Sequence, residues 1–417
     1  MTPERQDVAR GPLEGIVVID LTRALAGPLA TLVLAGLGAT VIKVENPAAG
    51  DSARTNAPYV GRSGVTMSRQ DESDMALGIL NRGRGKFGVT LDLKQPEGRD
   101  VFFDLVRKAD VVVENFSSGT ADRLGIGYEQ VRGVNERIVY CSISGFGKDA
   151  NPGVGAMDAV IQALSGIMLA SGAPEDPPLR VGVPIADGIA PLYAVIGILS
   201  ALMARGETGN GEHVDISMLG VVTSFVAIED WQAMEMLGQP LRTGATLPRL
   251  SPFGLFACRD GYVALVAPQD AMAHKLFGAM ERPDLIDHPS FATRDGRVRN
   301  HLEVQAVIET WMAERQVADV VSALEAAGVS AAQVRSPSEA LHDPGVRARS
   351  EIVPVVHPEL GEIPELSTYG LPIALSGHST RYARSAPMLG GDNDAIFGGF
   401  LGYPAERLEE LRRRGVI

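Results

Sequence analysis

Cysteine is scarce in this chain: 417 residues hold two, Cys141 and Cys258. A disulfide framework is therefore excluded. Each thiol lies in or just after a strand-like apolar run, so both read as buried, reduced groups, and a cytoplasmic location is expected. No spacing of His and Cys suits a metal, and none is expected. Histidine is missing from the first 212 residues, because the first is His213. A His-based acid/base pair in that stretch is impossible. Positive charge is also in deficit: Lys and Arg number 38 against 51 Asp and Glu, for a net charge of -13. That argues against a nucleic-acid partner, although a local basic cluster can still meet an anion. The opening MTPERQDVARGPLEG has no apolar signal core. One uncharged run, Gly188–Ala204, falls short of the ~20 residues of a membrane span and contains Pro191. It reads as a buried helix, and no membrane partner is expected. The glycine fingerprints of dinucleotide and P-loop folds are absent, as is the G-x-S-x-G elbow of hydrolases.

What is present is a long alternation of strand and helix patterns. IVVID (16–20) and TVIKVE (40–45) flank a helical stretch near Pro28–Leu37, which makes a βαβ unit. TLDL (90–93), a helix over 96–108, DVVVEN (110–115), RIVYCSISGFG (137–147) and HVDISM (213–218) continue it. Residues 156–170 and 188–204 read as long buried helices. Such alternation implies an α/β fold with a Rossmann-like parallel sheet covered on both faces. The texture changes near 225. Residues 1–224 are read as a large α/β domain, 225–330 as a smaller α+β domain, and 331–417 as a tail completing the large one.

Candidate chemistry starts with charge. NRGRGK places Arg82, Arg84 and Lys86 together, with Lys94 and Arg123 near other strand ends. These would suit nucleotide phosphates, or equally a solvated positive face. Glu45 ends a strand where a ribose-binding acid sits in dinucleotide folds, but reads better as a polar strand end. Asp187, in VGVPIADGIAP, and Asp158, in GAMDAVIQALSG, both stand at helix starts. Each is a natural cap. Each would also stay ionised there and could attack an acyl centre. Local chemistry does not rank one above the other.

Order along the chain does. PLEGIVVIDLTRALAGP, LGATVIKVENP, Gly50-Asp51, LDLKQPEG, ADVVVENF, DRLG, RIVYCSISGFG, DAVIQALSG and GETGNGEHVDISM follow one another as they do in class III CoA-transferases. That family includes formyl-CoA transferase, crotonobetainyl/carnitine CoA-transferase and α-methylacyl-CoA racemase, and the resemblance spans nearly the whole chain. It implies that Asp187 is the nucleophile and that coenzyme A, brought as an acyl-CoA, is the shared substrate. It implies a CoA site at Leu25, Ala26, Leu91, Lys94, Asn115, Phe116, Arg123 and the loop Val154–Met157, including Gly155 and Met157. It also implies an interlocked homodimer, and a free carboxylic acid, such as a dicarboxylate, as second substrate.

Two departures from formyl-CoA transferases, Leu25 for Gln and Asn46 for Arg, make oxalate and formyl-CoA poor expectations. RTGATLPRLSPFG likewise lacks their glycine-rich covering loop. Racemases of the family place a His where this chain has Met157, and a thioether cannot move a proton. CoA transfer through an aspartyl thioester and mixed anhydrides is therefore expected, with acyl-CoA racemization as the alternative. Arg180, Arg242 and Arg249 are candidates to hold a substrate carboxylate, and backbone N–H groups at the start of the Asp187 helix are candidates for an oxyanion hole.

Overall fold

Short runs rich in Val and Ile, bounded by turns, set the centre of the larger part of the chain. In the computed structural model, which describes residues 10–148, 150 and 155–417, six of them form one sheet. They are β1 (Val17–Asp20), β2 (Thr40–Glu45), β3 (Lys86–Thr90), β4 (Val111–Glu114), β5 (Val139–Ser144) and β6 (His213–Ser217). All pairings are parallel, and the spatial order is β3-β2-β1-β4-β5-β6. The order reverses between β1 and β4. In such sheets the crevice at that reversal, beyond the carboxyl ends of the strands, is where ligands bind.

Parallel strands need crossovers. The helices used below are α1 (Ala26–Gly36), α2 (Leu77–Arg82), α3 (Pro96–Val106), α4 (Tyr128–Val134), α5 (Asp158–Leu164) and α6 (Ile185–Thr208). α3 starts where its sequence says it should, with Pro96 in the first turn and Glu97 near the positive end. Its Phe102 and Leu105 are fully buried with Ile19, Val112 and the C-terminal Phe397 and Leu411. α1 and α6 pack against each other.

The third strand lies four residues earlier than TLDL suggested. It is KFGVT, and its first residue is the fully buried Lys86. Lys86 Nζ donates to Asp20 Oδ2 at 2.9 Å, to Thr31 Oγ1 at 2.7 Å and to the Pro28 carbonyl at 2.9 Å. Burial alone would lift the Asp20 carboxyl, but Lys86 and Lys43 outweigh it and hold it at about 2. Burial in turn pulls Lys86 down to about 8 against the attraction of Asp20. Arg84 is buried too, 4.5 Å from the ring centre of Tyr382, and donates to the carbonyls of Asn81 and Tyr369. Lys86 and Arg84 are thus neither phosphate ligands nor a solvated face: Lys86 ties β3 to Asp20 and α1, and Arg84 ties it to Tyr369 and Tyr382. Glu45 is likewise spent, on Arg54 through two bonds of 2.7 and 2.6 Å, so it is not a ribose ligand.

The chain divides into two compact units. The larger holds Met1–Ser165, Val181–Val226 and Asp343–Ile417; the smaller holds Gly166–Arg180 and Ala227–His342. Compared with the sequence reading, the smaller unit ends later and takes in Gly166–Arg180. Its antiparallel sheet joins β7 (Phe253–Cys258), β8 (Gly261–Val266) and β9 (Ser330–Gln333) over a core of Phe256, Leu265, Phe277 and Ile308. A hairpin of β10 (Ile352–His357) and β11 (Gly361–Tyr369) belongs to the larger unit.

Two helices differ from expectation. The stretch 156–170 is not one long buried helix: α5 is two turns with only Ile161 and Gln162 buried, followed by a short 3-10 turn. α6 is longer than expected and buried along one face only. Leu192, Tyr193, Ile196 and Met203 stand open, Ile196 at 60% and Met203 at 79%. Uniform apolarity marks a helix that meets apolar neighbours all round, and among the described residues nothing covers this side of α6.

Candidate active site

The loop after β1 begins at the sheet reversal. Ala24 adopts a left-handed φ of 62°, which is costly for a residue with a Cβ. Its N–H is held by Asp51 Oδ1 at 2.9 Å, and Asp51 is anchored by Lys43 at 2.9 Å. The Asn115 amide clips this loop to the one after β4. Its Oδ1 accepts the Arg23 N–H at 2.8 Å, and its Nδ2 donates to the Arg23 carbonyl at 2.9 Å. Arg23 in turn lies 5.3 Å from the centre of the Phe116 ring. Asn115 therefore serves the crevice by bracing both of its walls.

Between these loops and the β3 turn runs a cleft of ≈ 60 Å³, lined by Leu21, Arg23, Leu91, Lys94, Phe116 and Leu124. It brings Leu91, Lys94 and Phe116 to one place. Lys94 is exposed and makes no ion pair among the described residues. Arg123 is exposed near this end of the sheet, with its guanidinium on Thr120 Oγ1 at 2.7 Å. Leu25 is half-buried at the start of α1. Ala26 is only 3% exposed, so its side chain is closed off by its own chain. Gly155 is exposed and Met157, at 74% exposure, directly precedes α5. Val154 lies outside the described residues.

The two aspartates that the sequence could not rank have different work. Asp158 does the capping. Its Oδ1 accepts the N–H groups of Ala186 at 2.8 Å and Asp187 at 3.4 Å, both in the first turn of α6. Its Oδ2 accepts from Gln162 Nε2 at 2.7 Å, and Gln162 Oε1 accepts the Val181 N–H at 2.9 Å. α5 thus pins the start of α6. Asp187 is the third residue of α6, inside the helix rather than capping it. Among the described residues its carboxylate has no hydrogen-bond partner. Burial, then the nearby charge of Asp158, push it up to about 6, partly offset by Arg82. Pro191 has no N–H to offer the Asp187 carbonyl four residues earlier. A Cβ at Gly188 would meet nothing within 4 Å, so there is room beside the carboxylate. The amides of Ala186, Asp187 and Gly188 are not a free oxyanion hole, however. Those of Ala186 and Asp187 go to Asp158, and that of Gly188 goes to the Pro184 carbonyl at 2.9 Å.

Glu114 was not anticipated. It ends β4 at 6% exposure, and its Oε2 accepts the Phe116 N–H at 2.7 Å. Burial pushes it up to about 7, against the bonds from Ser142 and the Phe116 amide. Ser142 also bonds His213 Nε2 at 3.0 Å. The clue in ADVVVENF was an acid directly after three buried valines. Of the arginines proposed for a substrate carboxylate, Arg242 gives its guanidinium to the carbonyls of Ser171, Asp176 and Pro177, Arg249 pairs with Glu229, and Arg180 is also engaged.

Residues 13–393 match the family described as CoA-transferase family III. The chain belongs to that family. Among its relatives is the acetyl-CoA:oxalate CoA-transferase of Acetobacter aceti, 34% identical over 93% of this chain and 96% of that protein. The succinate–glutarate CoA-transferase of Agrobacterium fabrum is 35% identical over 91% and 93%. A crystal structure of a CAIB/BAIF family protein from Brucella suis is 32% identical, covers 93% of this chain and 99% of its own, and superposes with a TM-score of 0.78. The protein is a class III CoA-transferase, and acyl-CoA is its substrate.

Proposed function

We propose that this transferase moves CoA from an acyl-CoA to a free carboxylic acid through a thioester on Asp187. Asp187 attacks the acyl carbon, a C–O bond forms, the C–S bond breaks, and CoA leaves as thiolate. The thiolate attacks the Asp187 carbonyl of the mixed anhydride and expels the donor acid as carboxylate. The acceptor carboxylate then attacks the aspartyl thioester, and CoA thiolate leaves again. Finally the thiolate attacks the acceptor carbon of the second anhydride, which yields the new acyl-CoA and returns Asp187 as carboxylate. No proton need be taken up or released.

One observation carries this reading. Asp187 stands in the first turn of α6 with its carboxylate unpartnered among the described residues, while Asp158 has taken over the capping. At about 6 the Asp187 carboxylate is more basic than an ordinary one yet still ionised at neutral pH. Met157 offers no base for a racemase.

The groove of Leu91, Lys94 and Phe116 takes the CoA, with Lys94 and Arg123 at its phosphates, and Glu114 holding the Phe116 backbone. The acceptor is a dicarboxylate, in line with the succinate and glutarate in a relative's name. The protein works in the cytoplasm as an interlocked homodimer whose second copy covers the open face of α6, with Leu192, Tyr193, Ile196 and Met203. Incubation with succinyl-CoA and a panel of acids, followed by mass spectrometry of CoA esters, tests the activity. New esters are expected from the wild type and none from Asp187→Ala; turnover by that variant contradicts the assignment.

A further inference from the structure

One wall of the groove that takes CoA is the turn between β3 and α3, which carries Leu91, Leu93 and Lys94. β3 is an edge strand, with β2 as its strand partner among the described residues. Alternate N–H groups of such a strand face away from the sheet and need cover. Leu91 donates inward, to the Glu45 carbonyl at 2.7 Å. The outward donors are met by residues some 300 positions later in the chain. Gly88 donates to Asp392 Oδ2 at 2.8 Å, Thr90 to Asn393 Oδ1 at 2.9 Å, and Asp92 to the Val416 carbonyl at 2.8 Å. Bonds also run the other way: the Asp392 N–H reaches the Gly88 carbonyl at 3.0 Å, and Asn393 Nδ2 reaches Thr90 Oγ1 at 2.9 Å. Gly88 permits this approach, since a Cβ there would lie 2.7 Å from Pro387 Cγ.

The hold continues into the turn. Asp92 Oδ1 accepts the Lys94 N–H at 3.1 Å, which fixes the backbone that carries the lysine. Asp92 Oδ2 accepts from Gln95 Nε2 at 3.1 Å, and the same amide reaches the Gly415 carbonyl at 3.3 Å. Arg414 pairs with Glu97 in the first turn of α3. Val416 is fully buried and shares one core with Leu91 and Leu411, so apolar burial keeps its carbonyl on the turn. A turn released from these bonds would have more conformations to lose when a ligand binds. Binding would weaken, while the chemistry at Asp187 would not.

We propose that the segment Asp392–Ile417 is a positioning element of the acyl-CoA site, in which Asn393 and Val416 hold the Leu91–Lys94 turn in its binding geometry. Both act through the turn, and neither lines the groove. The inference rests on that groove being the CoA site.

The test compares wild type with Asn393→Ala, Asn393→Asp, a chain ending at Gly415, and Lys94→Ala. Calorimetric titration with CoA reads the groove, and turnover of succinyl-CoA with glutarate reads the chemistry. Losing one or two hydrogen bonds to the turn should raise the Kd for CoA roughly 3- to 10-fold in Asn393→Ala and in the shortened chain. The kcat at saturating substrates should stay within about twofold of wild type. Asn393→Asp should recover most of the affinity, because its oxygens can still accept the Thr90 N–H and hydroxyl. Should the shortened chain fail to fold, the two Asn393 variants decide. An unmoved Kd in Asn393→Ala, with or without a lowered Tm, overturns the positioning role. So does a weakened Kd that Asn393→Asp does not restore. Lys94→Ala separates the two ideas. If it too leaves the Kd unmoved, the groove is not the CoA site and the reading beneath the inference falls. If it weakens CoA binding while Asn393→Ala does not, only the positioning role is refuted.

Discussion

Replacing Glu114 by Gln should make the protein's stability respond to pH in a calculable way. Glu114 is 6% exposed at the end of β4, and burial lifts its carboxyl from 4.5 to about 7. The folded state therefore holds a proton that the unfolded chain has already released between those two values. Stability contributed by this group is complete below the unfolded pKa and is lost as pH rises through about 7. Between about pH 5 and about pH 8 the loss is on the order of 2–3 kcal/mol, at roughly 1.4 kcal/mol per pH unit. Gln can accept the Phe116 N–H through its carbonyl but carries no proton to lose. Urea denaturation of both proteins at the two pH values and equal concentration measures the difference. The gap should shift by about 2–3 kcal/mol in favour of Glu114→Gln at the higher pH. A gap that stays constant would show that Glu114 titrates normally and that the buried-acid reasoning is wrong.

Lys86→Met leaves the Asp20 charge buried without its main partner and should cost about 3–5 kcal/mol, whereas Asp20→Asn combined with Lys86→Met should cost clearly less; chemical denaturation reads both. Asp158→Ala removes the acceptor of two first-turn amides and should lower stability by about 1–2 kcal/mol. It also removes the like charge beside Asp187, so the acidic limb of the rate profile, expected near pH 6 because Asp187 must be ionised, should move to lower pH.

Much of the fold was legible because buried parallel strands are written as dense Val/Ile runs, and VVID, TVIKVE, VVVE and VYCSIS are all of that kind. KFGVT was not, because its lysine looks like surface charge until Asp20 and Thr31, from elements far apart in sequence, close around it. The open side of α6 was invisible for a related reason: composition records that a helix is apolar, not which neighbours cover it. The same limit held at the site. Motif order singled out Asp187, but its difference from Asp158 is a matter of which carboxylate reaches which amide, and that requires α5 and α6 in place. Arg82 and Lys86 sit four residues apart in one basic run, yet one ends a helix and the other starts a buried strand.

The central claim is that Asp187 carries CoA. After mixing with succinyl-CoA, quenching with hydroxylamine and digesting, peptide mass spectrometry should find the hydroxamate on Asp187, and none in Asp187→Asn. A hydroxamate on Asp158, or an unmodified Asp187 in enzyme that still turns over, would contradict the account.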